Sequence, residues 1–514
     1  MHKVYIPVFR LVCVTYSRNR VGRPCHYEED SYTFPQSAGS YHSQSLHSRS
    51  DDGAPSQVPS AQGLSPNTFF SVPASAMNID PFRHEALRQP TVNIAVSNEV
   101  SKILGTIDEI HAIATNYFDK IWQRMPIISK VRFFERLPTI FSNPQADYLV
   151  VCLAMNFILQ YPTPGDQSMQ SSSYVVVKSF ISLLESTNFL SLDVVQARLL
   201  ITFYELGHGI QVGASISIAG ATRSARLLGL NKKNFQELKD SYQARVVAEE
   251  EKRVWWATVN LDRFICLCNG DSLFITEDPQ SSDSLPIEDS QWAQDIVPDT
   301  TYHTLSTPSD ITVGHFAREC QISHLIGRVL RHVFEPASDP EFHAQEAMQL
   351  EKTLMAFMPL LIEEHSKFGL YCAALGMCSS ALFMLYDSAL FSSQTSSEYK
   401  DTLIESIQCS STQITEFSRH LFGDVAAVDF DVVSPLIPLS LYQAAIVQYR
   451  VGKQTGEIRH RNGFESLKEI LGYFDRRWLI GGRYLEALQG LKVDFPVTTL
   501  PLSGSYVSPA GPGG

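Results

Sequence analysis

Nine cysteines are the residues of this 514-residue chain best suited to hold a metal or act as nucleophiles. Cys13 and Cys25 stand near the start, and the other seven lie in apolar, helix-like segments where a free thiol behaves as a small hydrophobe. Their odd number and wide spacing do not suggest a disulfide framework. Cys266-x-Cys268 would put its two sulfurs on different sides of a helix, so core thiols are expected there and not a metal pair. His84-Glu85 is not followed by a histidine three residues after the glutamate, which excludes the zinc-protease pattern. GHGIQVG at 207–213 has the glycines of a phosphate loop. It follows a helical pattern instead of a strand, however, and a helix C-cap at Gly207 and Gly209 is the better reading. No G-x-S-x-G elbow or G-x4-G-K-[ST] loop occurs. His208 reads as a polar cap and not as a base, and the expectation is that the chain is not an enzyme.

The elements that must carry these residues are helical. From Val96 to about residue 490 the apolar residues recur at helical spacing, and hairpin turn pairs between alternating runs are almost missing. The expected fold is all-α: a large helical regulatory domain over 96–495, with a core at 195–292, and a disordered tail over 496–514. Tyr117, Ile121 and Trp122 share one helical side, and Pro126 is expected to end that helix or bend it. Asp147 to Gln160 and residues 174–184 read as helices. Val195, Leu199, Phe203 and Leu206 form an apolar stripe. Glu249, Glu250 and Glu251 suit the positive end of a helix dipole, so a helix is expected to open there, with Glu249 pairing to Arg253 one turn on. Trp255 and Trp256 read as core packing, and Asp262 with Arg263 as an internal ion pair.

Charge sets further limits. The net charge is −13, which argues against a surface that wraps nucleic acid as a whole. The first 25 residues nevertheless carry Lys3, Arg10, Arg18, Arg20 and Arg23 with no acid. Residues 31–65 contain ten serines among scattered Pro, Gly and Gln, a composition that cannot bury enough apolar surface to offset ordering entropy. A disordered Ser-rich linker over 31–95 follows. No run approaches the roughly 18 apolar residues of a membrane span, and no Asn-x-Ser/Thr acceptor occurs. The reading is a soluble intracellular protein with no membrane partner.

Five stretches in this order carry a resemblance: NYFDKIWQRMPIIS, ITFYELGHG, SARLLGL, EEEKRVWWATVNLDRF and FDRRWLIGGRYLEAL. Together they resemble the fungal-specific transcription factor domain, the middle homology region of the Zn2Cys6 (binuclear zinc cluster) regulators. Trp255, Trp256, Asp262, Arg263, Arg477 and Trp478 are its most family-like local signatures. The resemblance implies a nuclear regulator of RNA polymerase II transcription, with promoter DNA as a partner, a homodimer, a small-molecule effector, and a pathway-specific role in metabolism. It also implies zinc held by six cysteines at the N-terminus.

Residues 1–30 fit that cluster only as a remnant. VGRPCHYEED resembles the cluster's exit, and Cys13 and Cys25 match its second half with Tyr16 where a cysteine should stand. As written, these residues cannot bind the two zinc ions, because sharing six thiolates between them needs every one. The expectation is a first exon missing from the reading frame, and the alternative is a headless paralogue that binds an effector or partner without touching DNA. A helical enzyme with an unrecognised pocket is the third reading. If DNA contact persists in this form, Arg18, Arg20 and Arg23 would supply it through phosphate attraction.

Overall fold

A computed structural model describes residues 98–142, 145–232, 241–299, 303–370, 372–391, 397–423 and 428–491. The expected remnant (1–30), linker (31–95) and tail (496–514) lie outside these residues. Sixteen α-helices occur among the described residues. They are α1 (Asn98–Leu104), α2 (Ile107–Lys120), α3 (Lys130–Arg136), α4 (Ala146–Ile158), α5 (Ser172–Ser186), α6 (Leu192–Gly207), α7 (Gln211–Leu227) and α8 (Tyr242–Asn269), then α9 (Asp289–Trp292), α10 (His315–Phe334), α11 (Pro340–Phe368), α12 (Cys372–Phe391), α13 (Ser397–Phe422), α14 (Pro438–Thr455), α15 (Ile458–Asp475) and α16 (Ile480–Gln489). Extended pairing among the described residues is an isolated antiparallel bridge between Ser284 and Thr304, so the fold is all-α.

Local chemistry sets the helix ends. Thr106 and Glu109 form a reciprocal capping box at α2: Thr106 Oγ1 accepts from the Glu109 amide at 3.3 Å, and Glu109 Oε2 from the Thr106 amide at 2.7 Å. α2 stops at Lys120, before Pro126, and a 3-10 turn over Trp122–Arg124 follows, so the proline does not terminate it. Tyr117, Ile121 and Trp122 are all buried.

Three helices form the centre. α6 packs against α4, α7 and α8. Its side chains are buried from Val194 through Leu206, so the stripe seen in the sequence is part of a helix covered on every side. Gly209 adopts φ +67° and closes it in the left-handed region, whereas Gly207 is the last helical residue and does not. At Gly207 the missing side chain matters for another reason, a close approach by Trp478.

α8 corrects the expectation at Glu249. The helix opens seven residues earlier, at Tyr242, where Ser241 Oγ accepts from the Ala244 amide at 3.2 Å. Glu249, Glu250 and Glu251 therefore sit in its interior, and Glu249 and Glu250 are buried. Their partners, described below, replace the helix dipole as the reason for their charge.

α8 packs on α10, and α10 and α11 pack on α12. The 20-residue α12 has a mean hydropathy of 1.4, long and apolar enough to cross a bilayer, contrary to the expectation that no such run exists. Its most apolar window is 78% buried by the other helices, which explains the composition as that of a core helix. Helices α13 to α16 close the C-terminal side, with α14 against α13, α15 and α16.

Candidate functional site

The residues that marked this chain in sequence fall into three buried polar knots, each tying a helix to a neighbouring loop. The largest centres on Arg253 of α8. Its Nε donates to Glu249 Oε1 at 2.9 Å, its Nη1 to Asp289 Oδ1 at 2.8 Å, and its Nη2 to the Ile287 carbonyl at 2.7 Å. Glu249 also accepts from the Ile287 amide at 2.9 Å and pairs with Lys252 at 2.8 Å. Trp292, wholly buried, donates to the Pro126 carbonyl at 2.9 Å. The acidic loop after α8 is thereby fastened to α8 and to the segment preceding α3.

Asp289 continues the knot into α10. Its Oδ2 lies 2.9 Å from His315 Nδ1 and accepts the Phe316 amide at 3.1 Å, while His315 Nε2 lies 2.6 Å from the Gln123 carbonyl. Both ring nitrogens face acceptors, which suits a doubly protonated imidazolium. Burial works to raise the Asp289 pKa, but the charges of His315 and Arg253 prevail and hold it well below the usual carboxylate range. Burial works to lower His315, and the Asp289 charge overcomes it, so the imidazole pKa is raised. One turn on, buried Glu319 is pushed up to about 7 by desolvation, against the downward pull of His315 and Arg124.

The second knot is Asp262 with Arg263. Asp262 Oδ2 accepts from the Thr276 amide (2.8 Å), the Thr276 hydroxyl (2.6 Å) and the Ile275 amide (3.1 Å). Arg263 Nη1 donates to Asp262 at 2.8 Å, Nη2 donates to the Glu277 carbonyl at 3.1 Å, and the guanidinium lies 3.9 Å from the Phe274 ring centre. The pair's hydrogen-bonding capacity is engaged by its own loop.

The third is Arg477 with Trp478. Arg477 Nε donates to Asp431 at 2.6 Å and Nη2 to the Ile158 carbonyl at the end of α4 at 2.7 Å. Asp431 also takes Lys120 at 2.5 Å and the Tyr161 hydroxyl. Trp478 Nε1 donates to the Val433 carbonyl at 3.2 Å, and its ring lies over Gly207 and beside His208. His208 is the C-cap residue of α6, packed between Tyr204 and Trp478. Burial first, then the Arg477 charge, pushes its pKa well down, so the ring is neutral. Trp256 is buried, donating to the Ser284 carbonyl at 2.9 Å, while Trp255 is half-buried.

Beside the first knot lies a cavity of about 50 Å³. Arg132 pairs there with Glu250, and Arg136 grips Asp193 through two bonds of 3.1 and 2.6 Å. Gln196 reaches Glu250 at 3.1 Å, and burial raises the Glu250 pKa. A space of this size holds a water or two, far below the roughly 300 Å³ at which small-molecule sites begin.

Cys13, Cys25, Arg18, Arg20 and Arg23 lie outside the described residues. Of the seven described cysteines, Cys152, Cys266, Cys320, Cys372 and Cys378 are buried. Desolvation raises each of these thiols, and lifts that of Cys268 to about 12, the opposite of what a thiolate ligand needs. Among the described residues no group of three potential metal ligands includes a cysteine. Two cysteines precede residue 98 where the binuclear cluster takes six, so the residues present do not fit that cluster. A different donor set, His332, His343 and Glu346, does converge, with no metal-site motif in the sequence to mark it. Its visible trace is the His343/Glu346 spacing of one helical turn.

Comparison with known proteins follows the same outline. Residues 114–358 match the fungal specific transcription factor domain. Transcription factor BOA15 of Botryotinia fuckeliana is 29% identical over 166 residues, which is 32% of this chain and 90% of that protein. Transcription factor tazR of Aspergillus terreus is 27% identical over 170 residues, 31% of this chain and 26% of that protein. The chain thus spans most of the first relative and about a quarter of the second.

Proposed function

The chain carries a fungal specific transcription factor domain, and we propose that it acts in the nucleus as a regulator of transcription whose helical body sets activity while a separate N-terminal element meets DNA. The observation that carries this reading is the match over residues 114–358, supported by two relatives that are themselves transcription factors. Two of the three knots use residues inside that match to lock loops onto α8 and α10, which suits a body that transmits or masks a signal through its surfaces. The acidic balance of the whole chain, −13, suits a body that stays off the phosphate backbone.

DNA contact falls to the N-terminal arm in this reading. Arg18, Arg20 and Arg23 would attract phosphates without selecting bases. Three such contacts would give a salt slope of roughly −2.7, taking about 0.9 per phosphate. A cluster of the Zn2Cys6 kind, if joined to this body, would add base selection, and control of one metabolic pathway is the proposed biological scope. A second reading follows from the two cysteines ahead of the body: a partner-binding protein that influences transcription without touching DNA.

The test is deletion of the gene with complementation by the full chain, read as transcript profiles and chromatin occupancy of an epitope-labelled copy. A restored set of transcripts with occupied promoters is the expected result. Restored transcripts with occupancy that survives Arg18→Ala, Arg20→Ala and Arg23→Ala would favour recruitment by a partner. An unchanged transcript profile after deletion would sink the regulator reading.

A further inference from the structure

The turn between α10 and α11 brings together three side chains that neither the domain signatures nor the knots use. His332 lies in the last turn of α10, and His343 and Glu346 lie three residues apart on the first turns of α11. That spacing places the latter two on one helical face. One donor atom from each of the three lies within 4.8 Å of the others. His332 Nδ1 stands 2.9 Å from Glu346 Oε2, and the His332 and His343 rings stack at 3.8 Å between centres with 9° between planes. His343 Nδ1 is buried without a hydrogen-bond partner. A stacked pair of imidazoles beside a carboxylate, one nitrogen unsatisfied, is an arrangement that a cation completes.

We propose that His332, His343 and Glu346 form a binding site for one divalent transition-metal ion of the zinc class, clamping α10 to α11 at their connecting turn. Imidazole and carboxylate suit such ions, and two histidines with one glutamate leave a fourth position for water. Donor atoms around a tetrahedral zinc are about 3.3 Å apart, from bonds of about 2.0–2.1 Å. His332 Nδ1 and Glu346 Oε2, at 2.9 Å, already stand near that spacing, and the three donors lie within 4.8 Å of one another. The two helices are already fixed relative to each other near their far ends. There Arg318 holds Glu364 through bonds of 2.6 to 3.1 Å, so the ligands start from a preset geometry. His343 and Glu346 are half-buried, which gives an ion access from solvent. The site is distinct from the thiolate chemistry of the family's N-terminal cluster in residues, ligands and place.

The experiment is titration of the full-length, untagged chain with Zn²⁺ by calorimetry and with Co²⁺ by optical absorption. Wild type is expected to bind one ion at this site, with cobalt bands of nitrogen and oxygen ligands and no thiolate charge-transfer band. His343→Ala and Glu346→Gln, both at half-buried positions, are expected to weaken binding at least roughly 100-fold, a loss no smaller than that for removing an outer-shell partner. Circular dichroism checks that both variants remain folded. His332→Ala is the third variant, to be read only beside these two because His332 is buried. Binding that persists at wild-type strength in folded His343→Ala and Glu346→Gln would overturn the proposal. So would a cobalt spectrum dominated by thiolate bands, or a wild type that takes up no ion.

Discussion

Gly207→Ala tests whether the fold depends on the meeting of two distant sequence signatures. Gly207 ends α6 and Trp478 opens the segment leading to α16, 271 positions apart by subtraction of their numbers. A Cβ on Gly207 would come within 2.8 Å of Trp478 Cζ3, closer still to Cε3, and 3.1 Å from Pro435 Cβ. Carbon atoms prefer about 3.5–4.0 Å, so the overlap reaches at least about 0.7 Å against a flat ring. The ring cannot easily retreat, being wholly buried and held by its indole hydrogen bond to the Val433 carbonyl. Overpacking of this kind costs about 1–3 kcal/mol, offset in small part by alanine's better helix propensity at a terminal position. At about 2 °C per kcal/mol for a large unit, the melting midpoint should fall by roughly 2–6 °C. Gly229→Ala is the matched control. Gly229 has φ +76° and open space around it, so its cost is backbone strain alone, about 1–2 kcal/mol. The decisive measurement is a double-mutant cycle of Gly207→Ala with Trp478→Leu by thermal and denaturant unfolding. Removing the ring should recover about 1–2 kcal/mol of the glycine variant's loss, within the range seen for touching residues. Additive effects within about 0.5 kcal/mol, or a neutral Gly207→Ala, would refute the close-approach argument.

Four further outcomes follow from the knots and caps. Glu319 has a folded-state pKa raised from 4.5 to about 7, so the native state holds a proton the unfolded chain has released. Stability should then fall as pH rises from about 4.5 to 7, by up to about 3 kcal/mol at about 1.4 kcal/mol per unit. Glu319→Gln should flatten that slope in pH-dependent denaturant melts, and parallel curves for the two proteins would count against it. Asp289→Asn should destabilise by about 3–5 kcal/mol, because it leaves Arg253 and the protonated His315 short of a buried counter-charge; a change below about 1 kcal/mol in the unfolding free energy from denaturant melts would contradict this. Arg263→Met should release the 271–278 loop, read as faster limited proteolysis there while the helical circular dichroism persists. Ser241→Ala should cost about 1 kcal/mol by removing the α8 cap, read as a lower denaturation midpoint.

Sequence and structure part company at Glu249 for an instructive reason. A run of three glutamates is a sound helix-start signal when nothing else is known, because carboxylates favour the positive end of the dipole. The true cap, Ser241, is as visible in the sequence, but it stands eight residues before Glu249 and 14 before Trp255. What no single-sequence rule could show is that Glu249 has an amide of the loop after α8 waiting for it, 38 positions along the chain. The same limit applies to Arg477, whose carboxylate partner Asp431 and carbonyl partner Ile158 come from two remote segments. By contrast, the Glu249–Arg253 and Asp262–Arg263 pairs could be read directly, since each lies within a helical turn.

The division between local and remote partners also explains why the signature residues point to a family more clearly than to an action. Arg253, Arg263 and Arg477 each donate to a loop or helix-end carbonyl in addition to a carboxylate. A lysine would keep the charge and lose the fork that makes both contacts at once, so these positions are tied to arginine by shape. Guanidinium forks so engaged within the fold are committed to holding its segments together, and that makes these arginines structural. Residues able to act on something outside the fold must instead keep an unfilled valence near solvent. Among the described residues that line of reasoning leads away from the signatures and toward the α10–α11 turn, where His343 keeps a nitrogen without a partner.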